Sequence, residues 1–240
     1  MDRRSYRRRM KISLLEELLL IAYSDEGTLV TTSDTLNCGL AGGVLMELLL
    51  ADRVTVQNGR VTVLDPSSTE DPLLDGALAR IKGASRLRRP RDWVTELRGG
   101  LQEQVLNRLV QRGVLRQEQD RVLWIFPRTR YPSATGDEPA VETDARRRLR
   151  SVLDGATRSD PRTAALCALV AATGLDKEVF GDLPEKERKR RLAAVVEQSW
   201  PDRAVQQAIK QLASETSTMI AATAATTAAT AATTTIIINS

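Results

Sequence analysis

The sequence contains no histidine. This removes the usual general base, the commonest metal ligand and the side chain that titrates near neutral pH, so Ser-His-Asp and Cys-His catalysis are excluded. Only two cysteines occur, Cys38 and Cys167, far apart in the chain. That spacing argues against a zinc site, a CxxC redox pair or a disulfide framework, so neither metal nor cofactor is expected and both thiols should be buried. Long apolar runs are missing as well. A spanning helix needs about 20 predominantly apolar residues, and the stretches here are shorter or interrupted, as Glu16 and Glu17 interrupt "SLLEELLLIAY". The opening "MDRRSYRRRMKISLLEELLLIAYSDEG" has no small-residue cleavage site, so a cytoplasmic protein is expected, with any membrane contact peripheral.

What the chain does have is enough apolar material for a substantial core, 42% of 240 residues. Its 35 basic and 31 acidic residues leave a net charge of only +4, with a sequence pI near 9.3. So small an excess favours anionic partners only where it is clustered. Four clusters stand out: an N-terminal arm with Arg3, Arg4, Arg7, Arg8, Arg9 and Lys11; a loop with Arg86, Arg88, Arg89 and Arg91; a group at Arg146, Arg147, Arg148 and Arg150; and Lys186, Arg188, Lys189, Arg190 and Arg191. The last two fall on helices and read as solvated faces. The arm and the loop are candidates for an anionic surface, because each Lys or Arg beside an anionic bilayer contributes about 1 kcal/mol without needing a fold. RNA would attract the arm equally well.

Periodicity gives a mainly α chain. Leu14, Leu15, Leu18, Leu19 and Ala22 fall on one face of a helix over Ile12 to Tyr23, closed near Gly27. In "SDTLNCGLAGGVLMELLLADR", Ser33 or Asp34 should cap a helix that is apolar nearly all round and therefore central. Val54, Val56, Val61 and Val63 then alternate about Asn58-Gly59, the residues a type I′ hairpin turn requires. Asp71-Pro72 should open the next helix, with "ASRLRRPRDW" following as a loop. A helix pair over Asp92 to Arg112, broken at Gly99-Gly100, leads to a second hairpin: Val114-Leu115, a polar turn at Gln117 to Asp120, and Val122 to Phe126. "PRTRYPSATGDEPAVE" reads as an exposed linker. Three further helices are expected at Val141 to Ala156, Asp160 to Thr173 and Pro184 to Gln198, the second of them apolar all round, and "WPDRAVQQAIKQLAS" adds an amphipathic one. The organisation is thus a basic arm over 1–11, a single helical domain over 12–215 and an Ala/Thr-rich low-complexity tail over 216–240, whose threonines weaken helix.

A helix followed by a two-stranded wing is also how many DNA-binding domains are built, but a recognition helix must offer polar and basic side chains to base edges. From Leu40 to Ala51 the only charged residue is Glu47. Nucleic acid is therefore not the expected partner, although paired helix-plus-hairpin units keep it as the alternative. An enzyme using Asp71 and Asp75 as acid and base is a third reading, weaker because carboxylates beside a helix start usually cap it.

Taken in order, "LLEELLLIAY", "CGLAGGVLMELLLADRV", "DPLLDGALARIK", a tryptophan followed by "LNRLVQRGVL" with its hairpin, and the apolar "LCALVAA" resemble the Golgi phosphoprotein 3-like family from about Leu14 to Leu212. The resemblance implies one mostly helical domain in which apolar central helices are ringed by amphipathic helices and β-hairpins. It implies a non-enzymatic peripheral membrane adaptor that recognises a phosphorylated inositol-lipid headgroup, with an arginine-rich N-terminal segment engaging a protein partner. Departures are concentrated where the headgroup would sit. The family's turn arginine falls on Ala41, its tryptophan on Thr32, and two further arginines on Gly99 and Gln102; none of these ligands carries over. The hairpin between the last helices is shortened to "GLDKEVFGDLPEKE", which leaves homo-oligomer formation and membrane insertion open. These losses read as those of a distant, prokaryotic member that kept the fold and changed or lost the ligand, and a scaffold with no specific lipid ligand is a further alternative. The expected lipid contacts are Arg3, Arg4, Arg7, Arg8, Arg9, Arg86, Arg88, Arg89 and Arg91, with Arg98 and Arg108 near the family's pocket positions.

Overall fold

The computed structural model describes residues 12–122, 126–157, 159–198, 200 and 203–238. Helix α1, Leu14–Ile21, starts with a capping box: the Ser13 hydroxyl accepts from the Glu16 N–H at 3.2 Å, and the Glu16 carboxylate accepts from the Ser13 N–H at 2.7 Å. All eight of its residues are buried, both glutamates included. Helix α2, Ser33–Leu50, is capped by Thr32, one residue before the expected Ser33 or Asp34, and is buried almost throughout. A helix so enclosed has no face to lay in a DNA groove.

Strands β1, Val54–Gln57, and β2, Arg60–Val63, pair from Val54↔Val63 to Gln57↔Arg60. Asn58 and Gly59 both take positive φ, 51° and 71°, which is the I′ geometry their types predict. Helix α3, Pro72–Lys82, follows Asp71, whose carboxylate accepts from the Leu73 N–H. Helix α4, Pro90–Leu97, begins inside the stretch expected to be loop, because Pro90 sits at a first-turn position where its fixed φ suits a helix. Gly100, at φ 72°, then reverses the chain into α5, Leu101–Gln111.

The second hairpin lies further on than the sequence suggested. Strands β3, Glu118–Val122, and β4, Phe126–Arg130, pair Glu118 with Arg130 and Val122 with Phe126. Residues 118–120, read as turn, are strand, and the start of the supposed linker is β4. The rest of that linker is tied down too: Tyr131 packs edge-on to Tyr23, and Ser133 is buried beside the Leu115 bridge. Charged residues alternating along both strands left no apolar period to read; Glu118 and Arg130 pair across the ladder at 3.3 Å.

Helices α6, Ala140–Leu153, and α7, Pro161–Ala172, match two of the three helices expected, with α7 buried from Thr163 to Val170; α8, Asp176–Phe180, is a short helix inside the stretch read as a shortened hairpin, and α9, Glu185–Gln198, is the third expected helix. Helix α10, Arg203–Ile238, is about 54 Å long at 1.5 Å per residue. The compositional boundary at 215 falls inside it: Thr216 is fully buried, and Met219 and Ile220 pack on the core. Its threonines do not break it, because their hydroxyls donate to carbonyls one turn back, Thr216 to Leu212 at 2.7 Å and Thr223 to Met219 at 2.9 Å. Glycines on α2 let neighbours approach this closely; a Cβ on Gly42 would sit 2.5 Å from the Thr216 Oγ1.

Buried charge locks these helices together. Arg112, at the end of α5, binds Glu16 at 2.7 Å. Arg148 on α6 binds Glu17 at 2.5 Å. Arg162 on α7 donates to both Glu47 oxygens at 3.1 and 3.2 Å and to the Ile12 carbonyl at 2.6 Å. Burial pushes the Glu17 carboxyl above its ordinary value of 4.5, an effect opposed by Arg162 and Arg148. Removing one partner of a buried pair ordinarily costs about 3–5 kcal/mol, less where water reaches it; Arg162→Met, which leaves the Glu47 charge with the Leu14 N–H but no cation, should therefore cost about 2–3 kcal/mol in urea unfolding. Gly42→Ala should cost about 1–3 kcal/mol by overpacking, and adding Thr216→Ala, which removes the clashing hydroxyl and methyl, should restore most of that loss in the same assay.

Candidate functional site

The four basic clusters meet different fates. Arg3, Arg4, Arg7, Arg8, Arg9 and Lys11 lie outside the described residues. The group on α6 is spent on internal pairs: Arg146 with Glu142 and Glu138, Arg147 with Asp144, Arg148 with Glu17 and Asp144, Arg150 with Asp182. On α9, Arg188 binds Asp176, Lys189 binds Glu185, and Arg190 and Arg191 share Glu187. Lys186 apart, each cation of these two groups is locally neutralised by a carboxylate, unlike Arg86 and Arg89 of the loop over 84–91.

That loop is fastened to the first hairpin at two points. The Val61 N–H donates to the Arg88 carbonyl at 2.9 Å, and the Arg60 guanidinium donates to the Leu87 carbonyl at 2.8 Å. Arg88 turns inward, over the Trp93 ring at 5.1 Å and onto Glu96. Arg91 lies 3.7 Å from Asp92. Arg86 and Arg89 are exposed and have no ion pair with the described residues, and Leu87 between them is 54% exposed. Arg80 and Lys82 in the last turn of α3 lead into the same loop. The result is a fixed edge where uncompensated cations flank an exposed leucine.

The expected pocket region is built differently. Ala41 is fully buried, and Gly99 is exposed. Beside Gly100 opens a cleft of about 570 Å³ lined by Tyr23, Asn37, Gln102, Glu103, Arg128 and Tyr131 among others. The Gln102 backbone N–H donates to the Asn37 amide oxygen at 2.9 Å, and its side-chain amide donates to the Tyr23 hydroxyl at 2.7 Å. Neither Arg98 nor Arg108 lines this cleft. Arg98 approaches Cys38 at 3.8 Å and Thr223 at 3.4 Å, and Arg108 forms a two-pronged pair with Asp71 at 2.7 and 2.8 Å. The structure therefore separates the nominated arginines: it keeps Arg86 and Arg89 on one edge and takes Arg98 and Arg108 elsewhere. Sequence reasoning missed Tyr23, Asn37 and Arg128 as lining residues, neutral or isolated side chains that no charge pattern singles out, and it marked Gln102 only as a position where the family's arginine is lost.

The carboxylates considered as acid and base are committed to the backbone. Burial opposes ionisation of Asp71, but the bond and charge of Arg108 hold its carboxyl below the usual range. Asp75 accepts from the Ser68 hydroxyl and the Thr69 N–H and hydroxyl, which holds it low as well. Both cysteines are buried, and burial pushes the Cys167 thiol up to about 12. Among the described residues no three His, Cys, Asp or Glu side chains are grouped to hold a metal, and no helix is long and apolar enough to cross a membrane.

Residues 14–212 match the sequence model of the family described as Golgi phosphoprotein 3 (GPP34). The chain belongs to the Golgi phosphoprotein 3 family. It is also 29% identical over 167 residues to the vacuolar protein sorting-associated protein 74 of Eremothecium gossypii, covering 59% of this chain and 49% of that protein. The chain thus spans about half the length of that curated relative.

Within this Golgi phosphoprotein 3 fold one more group is poised to titrate. Glu142, 5% exposed at the floor of a 260 Å³ pocket, has its pKa pushed up to about 7 by burial, against the bond from Arg146 and with added repulsion from Glu138 and Asp25. Since the folded carboxyl holds its proton more tightly than the unfolded one at 4.5, the folded state binds the extra proton between those values, and stability falls as pH rises from about 4.5 through about 7. Glu142→Gln should flatten that fall, by on the order of 2 kcal/mol, when melting temperatures at pH 5 and pH 8 are compared with those of the unaltered protein.

Proposed function

We propose that this protein is a non-enzymatic peripheral adaptor that docks on anionic membrane through the Arg86–Arg89 edge and offers its basic N-terminal arm to a protein partner. The observation that carries the reading is the pairing of Arg86 and Arg89 with the exposed Leu87 on a loop whose backbone is held by the hairpin. Cations without internal carboxylates gain from an anionic surface, and a leucine between them can enter the headgroup boundary while the guanidinium groups stay at the phosphates. The names Golgi phosphoprotein and vacuolar protein sorting, borne by the family and by the relative, support a role in membrane traffic. Phosphoinositide recognition of the family type would need a cluster of cations at Ala41, Gly99 and Gln102, and this chain has none at those positions, so the reading rests on surface charge.

Two such cations at about 1 kcal/mol each predict that Arg86→Ala with Arg89→Ala weakens association with phosphatidylserine vesicles by roughly tenfold or more. Flotation of the full chain at moderate salt measures it, with Arg147→Ala as a control that should change nothing. Binding that survives the double substitution unchanged would move the contact elsewhere.

A further inference from the structure

The cleft beside Gly100 has a chemistry of its own. Its two formal charges, Arg128 and Glu103, are opposite in sign. Every other group lining it is neutral, and the polar ones are hydroxyls and amides. The starts of α2 and α5 border the cleft and would favour an anion, but Glu103 opposes one there and Arg128 is the one cation in the lining; a balanced pair among neutral donors and acceptors suits a ligand with many hydroxyls and no charge. The volume, about 570 Å³, falls within the range of roughly 300–1,000 Å³ typical of small-molecule sites.

We infer that this cleft binds an uncharged polyhydroxyl group, a sugar, presented as the headgroup of a glycosylated lipid or free in solution. The polar side chains are already oriented. Because the Tyr23 hydroxyl accepts from the Gln102 amide at 2.7 Å, its own proton is left to donate into the cleft. Gln102 in turn keeps its amide oxygen as an acceptor, with no other partner among the described residues. Asn37 is held from both ends, accepting from the Gln102 N–H and donating to the Ser33 carbonyl at 2.9 Å. Donor and acceptor therefore stand side by side on a fixed frame, matching adjacent hydroxyls of a sugar ring. The Tyr23 and Tyr131 rings, 6.0 Å apart between centroids and crossed at 86°, supply the apolar wall against which the C–H face of a sugar packs. Arg128 and Glu103 add one donor and one acceptor at the rim.

The lipid source rests on the membrane-adaptor reading, but the chemistry of the cleft does not. Helix α4, eight residues or about 12 Å long, stands in the chain between the basic loop, which ends at Arg89, and the cleft, whose lining resumes at Gly100. Two contacts on one bilayer can thus be tested apart. The full chain is mixed with vesicles of phosphatidylcholine alone, or containing monoglucosyl diacylglycerol, phosphatidylserine or phosphatidylinositol 4-phosphate, and is titrated separately with methyl glucoside, methyl mannoside and myo-inositol by NMR. Glucolipid vesicles should be bound at least tenfold better than phosphatidylcholine, and Gln102→Ala and Tyr23→Phe should each remove most of that gain while leaving phosphatidylserine binding intact. Arg86→Ala with Arg89→Ala should do the reverse, so loss of the anionic arm alone sinks the membrane-edge reading and not this one. Saturable binding of a free sugar without a glucolipid gain, abolished by the same cleft substitutions, assigns the soluble source. The inference is overturned if neither glucolipid nor sugar binds, if the cleft substitutions leave their binding unchanged, or if Gln102→Ala selectively removes phosphatidylinositol 4-phosphate binding.

Discussion

Three carboxylates at the seams between helices, Glu16 and Glu17 buried and Glu47 nearly so, set the arrangement of the elements around them. Glu16 and Glu17 lie on a helix with no exposed face, and Glu47 lies on the neighbouring one. A charge buried without a partner costs several kcal/mol, so each position requires an arginine to arrive at a fixed place and angle. Arg112, Arg148 and Arg162 come from the end of α5 and from α6 and α7, elements widely separated in the chain. Their guanidinium groups define where those elements must dock. Apolar packing alone would tolerate sliding of one leucine-rich helix on another, whereas a charge-assisted hydrogen bond of 2.5–3.2 Å tolerates little.

The same requirement explains why a basic protein displays so little of its basicity. Arginines on α6 and α9 that look like patches in the sequence are turned onto neighbouring acids, and exposed pairs of this sort contribute little to stability while cancelling the local field. On the loop before α4, by contrast, Arg86 and Arg89 are exposed and have no carboxylate partner among the described residues. A cluster counted along the chain is therefore a poor guide to potential; the carboxylate one helical turn away decides.

Much of the fold was legible because it is written in local signals. Asn58-Gly59 specified its turn, Asp71-Pro72 specified a helix start, and the unbroken apolar faces of α2 and α7 specified burial. The second hairpin was misplaced because charged residues, interleaved with Gln119 and Thr129, take the places where an apolar period would show, and a register held by Glu118 and Arg130 has no apolar signature. Residues from 216 onward were set apart by composition alone, yet Thr216 fits against Gly42, a complementarity between positions 174 residues apart in the chain. The site was the least legible part. Arg98 and Arg108 were nominated by position along the chain and are occupied by Thr223 and Asp71, while Tyr23, Asn37 and Gln102 meet only through folding.

The two fastenings between the first hairpin and the loop at 84–89 bear on how its charges behave. A flexible basic segment surrenders conformational freedom when it settles on a surface, and that loss offsets part of each electrostatic contact. Here the backbone at Leu87 and Arg88 has already given up that freedom during folding, held by Arg60 and Val61. The points from which the exposed side chains of Arg86 and Arg89 extend are thus set by the folded domain, present before any partner arrives. Docking such an edge costs the freedom of the side chains and spares that of the backbone.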